Sequence, residues 1–192
     1  MMDLGSTVPS RSSRANEVSG DGGVVVGWQE DAFGFRQGAT WDNGVQQILS
    51  GPNGIVGEAF DANSDGSIIV GVNCSAGEQS GWMLRRGSGI TCYPPPRPRP
   101  GGYQVLMQST SEDGRVVGGA QSFGLESESV LWIDGEPHYL KDYLRERGIP
   151  DAFEGWVNTG FVNAVSKDGR VIAGFGAGPT TFTGYVVILE SP

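Results

Sequence analysis

Short apolar runs recur along the chain, and the same turn launches each of them. The copies are Asp21-Gly22-Gly23-Val24-Val25-Val26-Gly27, Asp65-Gly66-Ser67-Ile68-Ile69-Val70-Gly71, Asp113-Gly114-Arg115-Val116-Val117-Gly118-Gly119 and Asp168-Gly169-Arg170-Val171-Ile172-Ala173-Gly174. A serine stands just ahead of each aspartate, at Ser19, Ser64, Ser111 and Ser166. Asp-Gly favours a two-residue hairpin turn whose central residues both take positive φ. Each copy therefore predicts a hairpin. The stretches before the turns, Ala15–Ser19, Ala59–Ser64, Leu106–Ser111 and Val162–Ser166, have alternating character. The runs after them, such as Ile68-Ile69-Val70, are apolar at consecutive positions, as in strands covered on both faces, which implies sheets stacked on sheets. The closing glycines predict a bend or a close backbone approach where the strand ends.

Two further elements follow each hairpin. Ala39-Thr40-Trp41, Trp82-Met83-Leu84, Val130–Ile133 and Tyr185–Leu189 have the aromatic and β-branched make-up of core strands. Turns at Asn43-Gly44, Gly87-Ser88-Gly89 and Asp134-Gly135 then lead into Val45–Leu49, Ile90–Tyr93 and Glu136–Leu140. The unit is four strands, up and down. Successive aspartates are 44, 48 and 55 residues apart, the period of a propeller blade. The pattern predicts an all-β, β-propeller-like assembly of about four four-stranded blades in one repeat domain over 1–192, with hairpins anchored at 15–27, 59–71, 107–119 and 162–174. The last unit lacks a fourth strand, and Met2–Leu4 is expected to complete it beside Tyr185–Leu189.

Two insertions stretch the period. Tyr93–Gly102 is proline-rich and reads as a stiff inter-blade connection in polyproline conformation, with a docking segment as the other use. Leu140, Tyr143 and Leu144 fall at helical spacing before Gly148 and Pro150, which predicts one short amphipathic helix near 140–148 that caps the sheets.

Composition narrows the function classes. The chain has 192 residues, 32 of them glycine, and 22 acidic against 13 basic residues give a net charge of −9. Such a field repels phosphate backbones and anionic lipid, which argues against nucleic acid and membrane surfaces as partners. No apolar run reaches the ~18–20 residues of a membrane span, and Met1–Gly5 shows neither the basic nor the apolar region of a secretory signal. Cys74 and Cys92, 18 residues apart, suit either a disulfide loop or two buried thiols.

Candidate chemistry is sparse. His138 is the one histidine and falls in an expected edge strand without a neighbour to make it a base. Asp61, Asn63 and Asp65, followed by Gly66, resemble the front half of a calcium loop, but Ile69 and Val72 stand where its remaining ligands belong. Glu126 and Glu128 are spaced too unspecifically to mark a carboxylate pair. No catalytic residue, metal or cofactor is predicted, and ligand-binding residues stay unassigned. Trp28, Phe33, Phe35 and Phe123 fall in inter-strand loops, where they can bind a ligand or tuck under the blades.

The pattern Ala-x-x-Val-Ser-x-Asp-Gly-x-Val-Val-x-Gly, best matched at Ala15–Gly27 and Val162–Gly174, resembles the HAF repeat of bacterial "probable extracellular repeat" proteins. Leu140, Asp142 and Leu144, the pair Gly155-Trp156, and Met2-Asp3-Leu4-Gly5 are similar to that family's other short motifs. The resemblance implies an exported or cell-envelope bacterial protein and brings no catalytic residues with it. The expected function is a non-catalytic binding module that meets a protein or glycan through loops at one end of the propeller. The alternatives are a carbohydrate-active enzyme of the envelope, and a structural segment of a larger propeller or passenger domain.

Overall fold

An Asp-Gly turn joins the first two strands of each of four antiparallel blades, the second and third of which are bridged at Val72 and Leu106, in the computed structural model, which describes residues 3–75, 79–98, 102–124 and 126–190. Blade 1 is β1 (Ser13–Val18), β2 (Val24–Glu30), β3 (Arg36–Asp42) and β4 (Val45–Ile48). A small hairpin, β5 (Ser50–Gly51) and β6 (Gly54–Ile55), leads to blade 2. That blade holds β7 (Ala59–Ala62), β8 (Ile68–Val72), β9 (Gly81–Arg85) and β10 (Gly89–Tyr93). Blade 3 is β11 (Gln104–Thr110), β12 (Val116–Phe123), β13 (Glu126–Ile133) and β14 (Glu136–Tyr139), followed by the helix α1 (Leu140–Glu146). Blade 4 has β15 (Asn158–Val165), β16 (Val171–Ala177) and β17 (Phe182–Ile188). The fold is all-β and β-propeller-like, with one short helix that buries Leu140, Tyr143 and Leu144 as its spacing requires.

The second strands of blades 1 to 3 are buried from both sides because their alternate residues serve different neighbours. Val24 and Val26 of blade 1 pack with Ile69 and Trp82 of blade 2. Ile68, Val70 and Met83 of blade 2 pack with Val117 and Trp132 of blade 3. Leu131 and Ile133 of blade 3 pack with Ile172, Tyr185 and Val187 of blade 4. Each fully buried aliphatic side chain contributes roughly 1.5–3 kcal/mol, so the joints between blades are the core.

The turns differ from the two-residue hairpin that Asp-Gly suggests. In blade 1 the Ser19 amide donates to the Val24 carbonyl and the Val24 amide donates to Ser19 Oγ, so four residues are looped out. Ser19 Oγ in turn donates to Asp21 Oδ1, which also accepts the Gly23 amide at 2.9 Å. Only the glycine after the aspartate has positive φ; the aspartate does not. Ser111 with Asp113 and Ser166 with Asp168 repeat the lock. In blade 2 the serine's place belongs to Asn63, two residues before Asp65, whose Oδ1 accepts the Ile68 amide at 2.9 Å. Ser64 lies one position later. The turns with two positive φ values are Asn43-Gly44 and Asp134-Gly135, which join the third and fourth strands of blades 1 and 3.

The closing glycine does not end the strand, since β2, β12 and β16 run on past it. It answers a bulge. Each first strand slips register five residues before its aspartate, at Asn16, Phe60, Gln108 and Asn163. Bulges bend a strand, and the bent backbone passes so close that a Cβ on Gly27, Gly119 or Gly174 would collide with a carbonyl of the first strand, and one on Gly71 with the carbonyl of Glu58 just before it.

The N-terminal expectation is corrected. Met2 lies outside the described residues, while Asp3 and Leu4 are not strand and do not border β17. The Leu4 carbonyl accepts Trp41 Nε1 at 3.0 Å, and Gln29 Oε1 accepts the Thr7 amide and hydroxyl, both at 2.9 Å. The Trp41 indole N–H and the Gln29 side-chain oxygen, which also accepts Gln46 Nε2 at 2.9 Å, hold the segment on the face of blade 1. The proline stretch, described as far as residue 98, is tied to blade 3 and α1: the Arg97 carbonyl accepts Gln121 Nε2, and the Arg97 guanidinium meets Asp142 at 3.2 Å. Among the described residues no helix is long and apolar enough to cross a membrane.

Candidate binding cleft

The first strands of the four blades stand side by side at the centre, and a recess opens at each end of them. At the turn end, loops of neighbouring blades are stitched together. The Asp21 amide donates to the Ser64 carbonyl at 2.9 Å and the Glu112 amide to that of Lys167 at 2.8 Å. Asn63 Nδ2 reaches the Glu112 carbonyl, and the Lys167 ammonium reaches Ser64 Oγ. A recess of about 250 Å³ between them gathers Glu17, Asp61, Glu112 and Lys167.

Asp61 and Asn63, two of the three residues that resemble half a calcium loop, line that recess, and their oxygens are already engaged. Asp61 accepts the amides of Thr110 and Ala62, both at 2.8 Å; Asn63 serves Ile68, and Asp65 serves Ser67 at 2.9 Å. The three side chains face different backbone donors and do not converge. Among the described residues no cluster of three or more His, Cys, Asp or Glu is placed to hold a metal ion. Burial pushes the Asp61 carboxyl above its ordinary pKa against the pull of its amide donors, and its role is to strap β7 to β11.

The opposite end holds the larger cleft, about 630 Å³, where the β2–β3 loop, the β6–β7 connection, the exit of β8 and the start of β11 meet. Phe35, Arg36, Ile55, Glu58, Asn73 and Gln104 contribute to its wall. The loop is shaped by Asp31, whose Oδ1 accepts the amides of Phe33 and Phe35 at 2.8 and 2.9 Å, and this turn presents both rings to solvent. Beside them Arg36 Nη1 lies 2.8 Å from Glu58 Oε2, whose side chain is only 6% exposed. Asn16, thrown toward blade 2 by its bulge, donates Nδ2 to Glu58 Oε1 at 2.9 Å. The guanidinium lies 4.4 Å above the Trp28 ring. A buried carboxylate with two partners and a stacked guanidinium are fixed in place before any ligand arrives.

Of the four aromatics expected in loops, Phe33 and Phe35 are in one and exposed at this end, whereas Trp28 lies within β2, buried as the floor under Arg36, and Phe123 ends β12, half-buried on blade 3. Glu126 is exposed on β13, and Glu128 accepts the Thr159 hydroxyl at 2.7 Å, so neither reaches the cleft. His138 is half-buried in β14, with its ring 5.5 Å from that of Tyr143. Cys74 and Cys92 form a disulfide that ties the exit of β8 to β10. Sequence reasoning passed over Asn16, Arg36 and Glu58, because they lie up to 42 residues apart and only the bulge and the stacking of blades bring them together.

Comparison with known proteins bears on the fold. No protein-family model matches the chain, and no curated protein does. Among solved structures, a protein of Agrobacterium tumefaciens assigned as TolB is similar with a TM-score of 0.57 and 16% identity, over 97% of this chain and 61% of that one. TolB from Acinetobacter baumannii is similar with a TM-score of 0.56 and 12% identity, over 93% of this chain and 43% of that one. The chain thus spans less than two thirds of either neighbour, and likeness at such identity concerns the arrangement of blades alone.

Proposed function

We propose that the chain is a non-catalytic binding module of the cell envelope or extracellular space, and that a protein segment or glycan enters the cleft between Phe35 and Glu58. The observation that carries this reading is the pairing of a prearranged Arg36–Glu58–Asn16 network with two solvent-facing rings on a loop pinned by Asp31. Such a site offers apolar contact and oriented polar groups together, as small-ligand and peptide sites do. The disulfide fits an oxidising compartment, and so does the resemblance to HAF-repeat proteins. The similarity to TolB structures supports a blade assembly whose loops are free to vary, since function on such scaffolds resides in grafted sites.

A glycan array and a random-peptide display screen test the proposal. Ligands recovered from either should lose at least tenfold in affinity with Phe35→Ala and with Arg36→Ala. Ligands indifferent to both substitutions would place binding elsewhere and refute the assignment of the cleft. An envelope carbohydrate-active enzyme, the rival reading, has the raised Asp61 beside Glu17 in its favour. Turnover of a cell-wall glycan that Asp61→Asn abolishes would establish that rival.

A further inference from the structure

The cleft between Phe35 and Glu58 has spent its backbone groups and kept its side-chain amides free. The Gly38 amide donates to the Val56 carbonyl at 2.8 Å, the Gly57 amide to that of Asn73 at 2.7 Å, and the Val72 amide to that of Glu58 at 3.0 Å. A peptide that adds a strand needs an open row of N–H and C=O groups, and one that docks as a helix needs an apolar groove. Here those backbone groups are paired, and Arg36, Glu58, Asn73 and Gln104 stand in the wall beside Phe35 and Ile55. Among the described residues the side chains of Asn73 and Gln104 make no hydrogen bond within the chain. Gln37 engages only its oxygen, 3.3 Å from Gln29 Nε2. Arg36 gives only Nη1 to Glu58, and its side chain is 54% exposed.

We propose that the ligand of this cleft is an uncharged polysaccharide, an inference that rests on the binding-module reading above and narrows it to one class. A sugar ring has an apolar C–H face and a rim of hydroxyls, each of them both donor and acceptor. Phe35, 72% exposed on the loop that Asp31 pins, supplies a flat ring for that face. Each free amide sets a carbonyl acceptor and NH2 donors in one plane, the arrangement that adjacent hydroxyls of a sugar meet. Asn73 is fixed for this task at the exit of β8: its φ of 58° is left-handed, and the disulfide of the next residue ties that exit to β10. Charge selects against acidic polymers. Asp31 and Glu58 outnumber Arg36 in the wall, and the whole chain carries −9, a field that opposes uronates and phosphates. The one cation, Arg36, already has the Glu58 carboxylate 2.8 Å away. The volume, about 630 Å³, falls among those of small-ligand sites, roughly 300–1,000 Å³, and receives a short stretch of a longer chain.

Affinity electrophoresis through native gels that carry a neutral polysaccharide (a glucan, a mannan or a xylan) or an anionic one (polygalacturonate) tests the proposal. At least one neutral polymer should retard the chain, polygalacturonate should not, and added salt should leave the retardation unchanged. Phe35→Ala should abolish it and Phe35→Trp should retain it, with the circular dichroism spectrum the same in both. Asn73→Gly removes the amide and tolerates the left-handed backbone. This variant and Gln104→Ala should each weaken binding roughly three- to tenfold, the worth of one hydrogen bond. A chain that no neutral polymer retards overturns the proposal. So does one that polygalacturonate retards more than any neutral polymer, or retardation that survives Phe35→Ala and Asn73→Gly together. Display peptides that depend on Phe35 and Arg36, in a chain that no polysaccharide retards, would overturn the sugar and leave the cleft as the binding site. Ligands of either kind that ignore both residues would refute the cleft itself.

Discussion

Blades 3 and 4 are built from nearly the same words and meet opposite fates. Ser-Glu-Asp-Gly-Arg-Val-Val and Ser-Lys-Asp-Gly-Arg-Val-Ile make the same locked turn. Val116 and Ile133 of blade 3 pair across their strands, as Val171 and Ile188 do in blade 4. In blade 3 these side chains lie under blade 4; in blade 4 they face water. The repeat therefore specifies a sheet with two sticky faces, and it is the arrangement of neighbours that decides which faces contribute to stability. A buried position and an exposed one of identical type should then differ in energy by the whole transfer and cavity terms.

The sharpest test sets Leu131 against Val186, which occupy equivalent places opposite Gly118 and Ala173. Leu131 is fully buried and Val186 is 65% exposed. Leu131→Ala should destabilise the chain by about 2–5 kcal/mol. Val186→Ala should stay within about 0.5 kcal/mol in dilute solution. Urea denaturation measures both, and equal losses would mean that the two faces are not energetically distinct.

Covalent reinforcement is uneven in the same sense. Blade 2 has its fourth strand tied to the exit of its second by Cys74–Cys92, across 18 residues, while blade 4 shows three strands among its described residues. A loop of that length is worth about 3 kcal/mol in the chain-entropy account. Replacing both cysteines by serine should lower the urea midpoint correspondingly. Amide exchange should quicken first in β10. Faster exchange in β17 alone would show that the weak blade, and not the tied one, governs opening.

Much of this architecture was legible from the pattern of residues. Consecutive apolar positions at Ile68-Ile69-Val70 require cover on both sides, and a recurrence of 44 to 55 residues leaves few folds besides stacked four-stranded sheets. The helix followed from Leu140, Tyr143 and Leu144. What stayed hidden depends on contacts between blades. A bulge has no fixed composition, and Asn16, Phe60, Gln108 and Asn163 share none. The closing glycine was visible while its cause, the carbonyl of the bulged strand, was not. Asn63 in the serine's place is a geometric equivalence, since an amide oxygen two residues before the aspartate reaches the same N–H that a hydroxyl does. The candidate cleft was the least legible part, because a buried Glu58 makes sense only once Asn16 and Arg36 have been brought to it.

The glycine after each aspartate isolates the joint between blades from the turn itself. Gly22 and Gly169 both have positive φ, at 76° and 73°. A Cβ on Gly22 would meet nothing within 4 Å, whereas one on Gly169 would lie 2.8 Å from Val116 of blade 3. Gly22→Ala should cost the strain of a left-handed alanine, roughly 1–2 kcal/mol. Gly169→Ala should cost more, because Val116 must also yield. Melting temperatures of the two variants make the comparison, and identical shifts would leave the Gly169–Val116 contact without energetic consequence.

The smallest effect expected is the response of the turns to acid, where all four blades behave alike. The Ser19 and Ser166 hydroxyls, with a backbone amide in support, hold the carboxyls of Asp21 and Asp168 below their ordinary pKa. At Asp65 hydrogen bonds from the Ser67 side chain and amide do so, and at Asp113 the Arg115 amide leads. A depressed carboxyl pKa stabilises the fold above the ordinary value of 3.8, and that contribution disappears as the pH falls through the lowered value. Asp61 acts in the opposite direction: raised by burial, it favours the fold below 3.8 and loses that effect as the pH rises through its folded value. With these four aspartates and Asp134, which its hydrogen bonds from the Arg115 guanidinium also lower, against one, the melting temperature should fall on acidification from neutrality to about pH 3, a range that spans the carboxyl titration. Ser166→Ala leaves Asp168 without its principal donor, so this variant should start less stable at neutral pH and lose less on acidification than the parent chain. Parallel melting curves for the two proteins across that range would show that the hydroxyl lock contributes nothing that depends on charge.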